Sequence, residues 1–135
     1  MNTEVIGIDP HSPDMGAIRR AAAVIRSGGL VAFPTETVYG LGADGMCGEA
    51  VEGIFAAKGR PQDNPLILHV SEPEGVLRAA QDIPPAALDL MVRFWPGPLT
   101  LVLPKRPEVP AVVSAGLPTV GVRMPDNTVA LTLIA

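Results

Sequence analysis

Cysteine is nearly absent: Cys47 stands alone among 135 residues, so no intrachain disulfide is available and a reducing, cytoplasmic setting is expected. Aromatic residues make up only 4%. A core must therefore come mainly from Ala, Val, Leu and Ile, and the 47% hydrophobic content is enough to supply one. Positive charge is also short. Lys and Arg number 10 against 14 Asp and Glu, a net charge of −4. That argues against a broad nucleic-acid surface but leaves room for a small basic pocket. No apolar run approaches the ~18 residues of a membrane span, and the closing "VALTLIA" is far too short for one. The opening "MNTEVIGIDPHS" carries acids and no apolar stretch, unlike a signal peptide. One cysteine and two distant histidines make no zinc site, so no metal ligand set is expected from side chains.

The length suits one domain. Glycine (14) and proline (15) make the chain rich in turns, yet below the range of disordered low-complexity sequence. "HSPDMGAIRRAAAVIRSGG" predicts a helix with Ser12 as N-cap, Pro13 at the first helical position and Gly28 as the left-handed stop. Ala17, Ala21, Val24 and Ile25 would form its apolar stripe. Strands are expected at Leu30–Phe33, Leu66–Val70, Leu99–Pro104 and Thr119–Pro125. Helices are expected over "GEAVEGIFAAKGR", around Pro73–Ala80, over Pro84–Trp95, and after an Asn127 cap. Strands and helices interleave without a strict βαβ rhythm, which predicts an α+β fold with a mixed sheet and helices packed on it. The last helix meets no stop signal, so the chain is expected to be the N-terminal part of a longer domain.

Chemistry concentrates in a few stretches. "FPTETVYGLGADG" matches G-x-G-x-x-G at Gly40, Gly42 and Gly45, but "PTETVY" separates these glycines from the strand and the next acid past the following strand, Glu72, is too distant. A dinucleotide fingerprint needs both in place. A pocket wall fits better: Thr35 and Thr37 offer hydroxyls that donate and accept, and Gly40 and Gly42 would let a ligand approach the backbone. In "AAKGRPQDNPL", Lys58 and Arg60 flank a glycine where a helix ends. They either complement the helix C-terminus or form an anion clamp, a compact charge beside a planar fork. His69 lies within a buried strand and is either a hydrogen-bonded core residue or a ligand group. Trp95 reads as a core anchor. Arg123 is a lone cation at the end of an apolar strand, either paired or ligand-binding.

Taken in order, "PTETVYGLG", "KGRP..NPL..H", "WPGPLTLVL" and "VGVRMP" resemble the YrdC-type family of threonylcarbamoyl-AMP synthases. The resemblance implies a YrdC/RibB-like fold: a twisted, open, mixed sheet flanked by helices, with a concave, positively charged cavity. It implies residues 1–135 as one such domain, incomplete at its C-terminus. It further implies an enzyme, a nucleotidyltransferase that joins ATP, L-threonine and bicarbonate into threonylcarbamoyl-AMP, releasing pyrophosphate with magnesium required. The product would go to a partner complex that modifies tRNA, with tRNA itself a candidate partner. Carried onto this chain, Lys58 and Arg60 would act on the ATP phosphates as the catalytic pair. Thr35, Thr37 and His69 would line the threonine pocket. Pro65 would shape the rim, and Arg123 would contact the nucleotide. Family members continue with a Ser-x-Asn segment, commonly "PSAN", that completes the nucleotide site. Ser114–Ala115–Gly116 lies in the wrong place and lacks the Asn, so part of the ATP site is expected outside this chain. Two alternatives stay open. One is a non-catalytic module of the same fold that binds double-stranded RNA or tRNA. The other is the carbamoyl-transfer domain of hydrogenase maturation proteins, against which the lack of zinc-finger cysteines weighs.

Overall fold

A computed structural model describes residues 2–135. Helix α1 (Met15–Arg26) is capped by Asp14, whose carboxylate accepts from the Gly16 amide at 3.1 Å, rather than by the expected Ser12. Asp14 is extended, at φ −65° and ψ 116°, which turns its side chain onto the first free amides. At the other end Gly28 has φ +89°. The Gly28 amide bonds the Ile25 carbonyl and the Gly29 amide the Val24 carbonyl, so paired backbone bonds close the helix. Ala17 and Ile18 are its buried residues, while Val24 stays exposed.

Strands β1 (Val31–Phe33) and β2 (Gly40–Gly42) form an antiparallel hairpin with Phe33 opposite Gly40. The sequence patterns treated β2 as loop. Helix α2 (Gly48–Lys58) follows and stops at Gly59, where φ is +62°. Strand β3 (Ile67–His69) leads through a 3-10 turn (Pro73–Gly75) into α3 (Val76–Ala79) and then α4 (Pro85–Phe94). Strand β4 (Leu101–Pro104), helix α5 (Ala111–Ser114), strand β5 (Thr119–Arg123) and helix α6 (Thr128–Ile134) complete the order. Asn127 caps α6 as expected, accepting from the Ala130 amide at 3.0 Å.

The second sheet has the order β3–β5–β4 and is mixed: β5 runs parallel to β3 and antiparallel to β4. No strand pairing joins it to the β1–β2 hairpin among the described residues. Alternation sorts its faces. Val120 and Val122 of β5, with Leu101 and Leu103 of β4, point to one buried side. There they meet Phe55 of α2, Met91 of α4 and Trp95 in a single cluster. Trp95 is 8% exposed and donates its indole N–H to the Leu99 carbonyl at 2.9 Å, so the expected core anchor is also satisfied as a donor. The opposite face carries Ile67, His69 and Arg123. None of the described helices is long and apolar enough to cross a membrane.

Candidate functional site

The face of the mixed sheet turned away from the core meets the hairpin across a hollow of about 900 Å³, within the usual range for small-molecule sites. Thr35 lines it from the loop after β1, Lys58 and Arg60 from the end of α2, Pro65 and His69 from the β3 segment, and Arg123 from β5. The residues expected to act together are thus brought to one hollow. Thr37 is the exception. It is exposed on the rim, with its hydroxyl 3.1 Å from that of Thr35.

The threonine turn is ordered by its own hydroxyl. Thr35 Oγ1 accepts from the amides of Thr37 and Val38, each at 3.2 Å, and donates to the Val38 carbonyl. This local bonding is what Ser and Thr offer a chain leaving a strand.

At the other end, the left-handed Gly59 ends α2 and separates Lys58 from Arg60. Lys58 is exposed and Arg60 is half-buried. The Arg60 guanidinium donates to the Pro65 carbonyl at 3.0 Å, and its Nε is buried with no partner. A buried donor without an acceptor is costly. An anion reaching this guanidinium would supply both acceptors and opposite charge.

His69 and Arg123 are direct register partners across the parallel β3–β5 pair, so they share the face toward the hollow. His69 Nδ1 lies 3.1 Å from the carbonyl oxygen of Ile67. Donation from Nδ1 leaves Nε2 as an acceptor. Burial lowers the His69 pKa below the usual 6.5; the Ile67 carbonyl opposes this, Arg123 adds to the lowering, and Glu36 counters it. The imidazole is accordingly neutral at neutral pH. Its ring meets Phe33 edge-on, with centroids 6.0 Å apart at 82°.

Phe33 revises the expected reason for the glycines. A Cβ on Gly42 would lie 2.8 Å from Phe33 Cε1, and one on Gly40 3.1 Å from Cζ. A Cβ on Gly45 would lie 2.4 Å from a methyl of Leu68. The space freed at Gly40 and Gly42 holds the Phe33 ring, which in turn meets His69, rather than a ligand against the backbone. A large aromatic opposite glycine on the partner strand was the sequence signal for this.

Arg123 is engaged within the chain. Its Nε donates to the Gly97 carbonyl at 3.0 Å, and its Nη2 pairs with Glu36 Oε1. Glu36 Oε2 accepts from the Asp126 amide at 2.7 Å. Sequence reasoning assigned Glu36 no role. The available signal was an acid between two threonines together with an apolar strand ending in an unexplained cation. Ser114, in the string that fell short of Ser-x-Asn, is fully buried, and its hydroxyl donates to the Ala111 carbonyl at 3.4 Å. Among the described residues, no group of three or more His, Cys, Asp or Glu side chains is placed to hold a metal ion.

The Sua5/YciO/YrdC family model, described as "Telomere recombination", matches residues 23–135. The chain is 60% identical over 117 residues to the threonylcarbamoyl-AMP synthase of Pyrococcus abyssi, covering 87% of this chain and 34% of that protein. It is 52% identical over 127 residues to the threonylcarbamoyl-AMP synthase of Bacillus subtilis, covering 93% and 37%. The structure of P. abyssi Sua5 complexed with L-threonine superposes with a TM-score of 0.90 at 57% identity, over 91% of this chain and 36% of that one. The chain thus spans about a third of the length of these relatives.

Proposed function

Because this chain belongs to the Sua5/YciO/YrdC family, we propose that its hollow is the reaction site of an L-threonylcarbamoyl-adenylate synthase, within one YrdC-like unit. The observation that carries the reading is the convergence of Thr35 and His69 with Lys58 and Arg60 on one recess of about 900 Å³. One part of that recess is hydroxyl-lined and holds a neutral imidazole. Another carries cations, one with an unsatisfied buried donor.

In this reading L-threonine occupies the part near Thr35, Thr37 and His69. Its ammonium group must shed a proton before nitrogen can attack carbon, and the lone pair on His69 Nε2 can accept one. Condensation with bicarbonate expels water and leaves a carbamate. A carbamate oxygen then attacks the α-phosphorus of ATP and pyrophosphate departs. Lys58 and Arg60 hold the phosphates and offset the charge that builds on their oxygens. Pro65 anchors Arg60 through its carbonyl and shapes the rim. Holding all three reactants in one recess converts a termolecular problem into a positioning task. Magnesium fits as part of the ATP complex. Such ions are held by phosphates and one or two carboxylates, and Asp44 and Glu72 line the recess. The adenylate would pass to a tRNA-modifying complex in the cytoplasm, where a single unpaired cysteine is at home.

In a protein that also carries the expected Ser-x-Asn segment, pyrophosphate release that requires both L-threonine and bicarbonate is the expected result. Lys58→Ala and Arg60→Ala each lower it by roughly two to three decades, about 3–4 kcal/mol of transition-state stabilisation. Release indifferent to both substitutions removes the assignment.

A further inference from the structure

We propose that Glu36 is a positioning residue that clamps the threonine turn across the mouth of the hollow and keeps Arg123 from acting as a free anion ligand. The inference rests on the reading above and adds a residue to it. The hollow lies between two sheets that share no strand pairing among the described residues. Their relative placement at the mouth therefore depends on side chains. Glu36 spans the gap with both oxygens, one to Arg123 at the end of β5 and the other to the Asp126 amide. The Arg123 end of this small network is also tied, since Arg123 Nε donates to the Gly97 carbonyl. Apart from this pair, the salt bridge described in the structure is Arg20 with Glu4, which lies on the exposed side of α1.

The pair is sheltered, with side-chain exposures of 11% for Arg123 and 22% for Glu36. Solvent screens such a pair less than a surface one. Glu36 sits directly between Thr35 and Thr37. Releasing it leaves the turn only its internal bonds to Thr35 Oγ1. Charge is divided as a result. The Arg123 cation is matched locally, whereas Lys58, Arg60 and Arg78 line the hollow with no salt-bridge partner among the described residues and remain open to phosphate. The part beside His69 is left near neutral, suited to a zwitterion rather than a polyanion.

The test is calorimetric binding of L-threonine and of ATP, measured separately, to the full chain and to Glu36→Gln, with Glu36→Asp as the conservative rescue. Glu36→Gln keeps an acceptor for the Asp126 amide but removes the charge. Threonine should bind about tenfold more weakly, the order expected for losing one charge-assisted hydrogen bond. ATP should bind unchanged or more tightly, because Arg123 is freed. Glu36→Asp should recover part of the threonine affinity. A merely structural tie lowers both affinities together and shows as lost folded fraction in thermal unfolding, and that result, or unchanged threonine binding, overturns the proposal. If the unsubstituted chain takes up neither ligand, pyrophosphate release by a protein that also carries the expected Ser-x-Asn segment judges the synthase reading separately, while amide exchange at Thr37 and Val38 still judges the clamp. Exchange accelerated by about tenfold in Glu36→Gln supports it, that being the change expected when a local tie is lost, and unaltered exchange overturns it.

Discussion

Replacing Gly42 with alanine adds one methyl group to the hairpin beside the hollow, and the structure sets its consequence. The new Cβ would stand 2.8 Å from Phe33 Cε1, 3.4 Å from Cδ1 and 3.6 Å from the Val31 carbonyl oxygen. Carbon atoms settle at about 3.5–4.0 Å, so the ring must retreat by roughly 0.7 Å or more. It has little freedom to do so. Phe33 is 9% exposed, faces Gly40 across the hairpin and meets the His69 ring edge-on. Overpacking of this kind costs about 1–3 kcal/mol. Alanine also reduces the entropy of the unfolded chain, which returns about 0.4–1 kcal/mol. The net is a loss of about 1–2 kcal/mol, or a fall in Tm of roughly 3–8 °C for a chain of this size. Gly53→Ala is the control. Its Cβ would meet Leu30 at an ordinary 3.5 Å inside α2, and glycine in a helix interior is about 0.5–1 kcal/mol worse than alanine. That variant should melt higher. Thermal unfolding followed by circular dichroism reads both. If Gly42→Ala melts at or above the unsubstituted chain while Gly53→Ala behaves as expected, the claim that these glycines exist to seat Phe33 is wrong.

Two further outcomes follow from the same geometry. The His69 pKa is depressed by burial, so between that lowered value and 6.5 the unfolded chain binds more protons than the folded one. Stability should therefore fall as pH drops below 6.5, and His69→Gln should flatten that part of the profile in urea titrations at stepped pH; an unchanged slope would place the titrating group elsewhere. Gly59→Ala should destabilise by about 1 kcal/mol although no atom lies within 4 Å of the added methyl, because φ there is +62° and a Cβ strains that backbone. A melting point equal to that of the unsubstituted chain would show that α2 can end in another conformation.

Local chemistry was readable from the sequence because it is written in adjacent residues. Gly28 and Gly59 stop their helices as expected, since a left-handed residue needs no distant partner. Asn127 caps α6 for the same reason. Lys58 and Arg60, set two apart around the glycine that ends α2, both line the hollow, a placement their spacing makes possible. The family resemblance carried by four ordered motifs was likewise legible, and the match over residues 23–135 agrees with it. The cap of α1 was misplaced by two residues because Ser12 and Asp14 are both good caps, and only backbone geometry chooses between them.

What sequence could not decide is what depends on pairing across the chain. His69 stands beside Arg123 only because β3 and β5 are parallel in that register. Phe33 fills the space over Gly40 and Gly42 only because the hairpin closes as it does. Glu36 finds Arg123 and the Asp126 amide only once segments 87 and 90 residues further along the chain are brought to it. Residue types and short-range spacing determined which groups this protein has to work with, because propensities and turns act within a few residues. Tertiary structure decided that Arg123 pairs with Glu36 while Lys58 and Arg60 line the hollow with no salt-bridge partner among the described residues, because charge pairing falls off over ångströms in space and takes no account of distance along the chain.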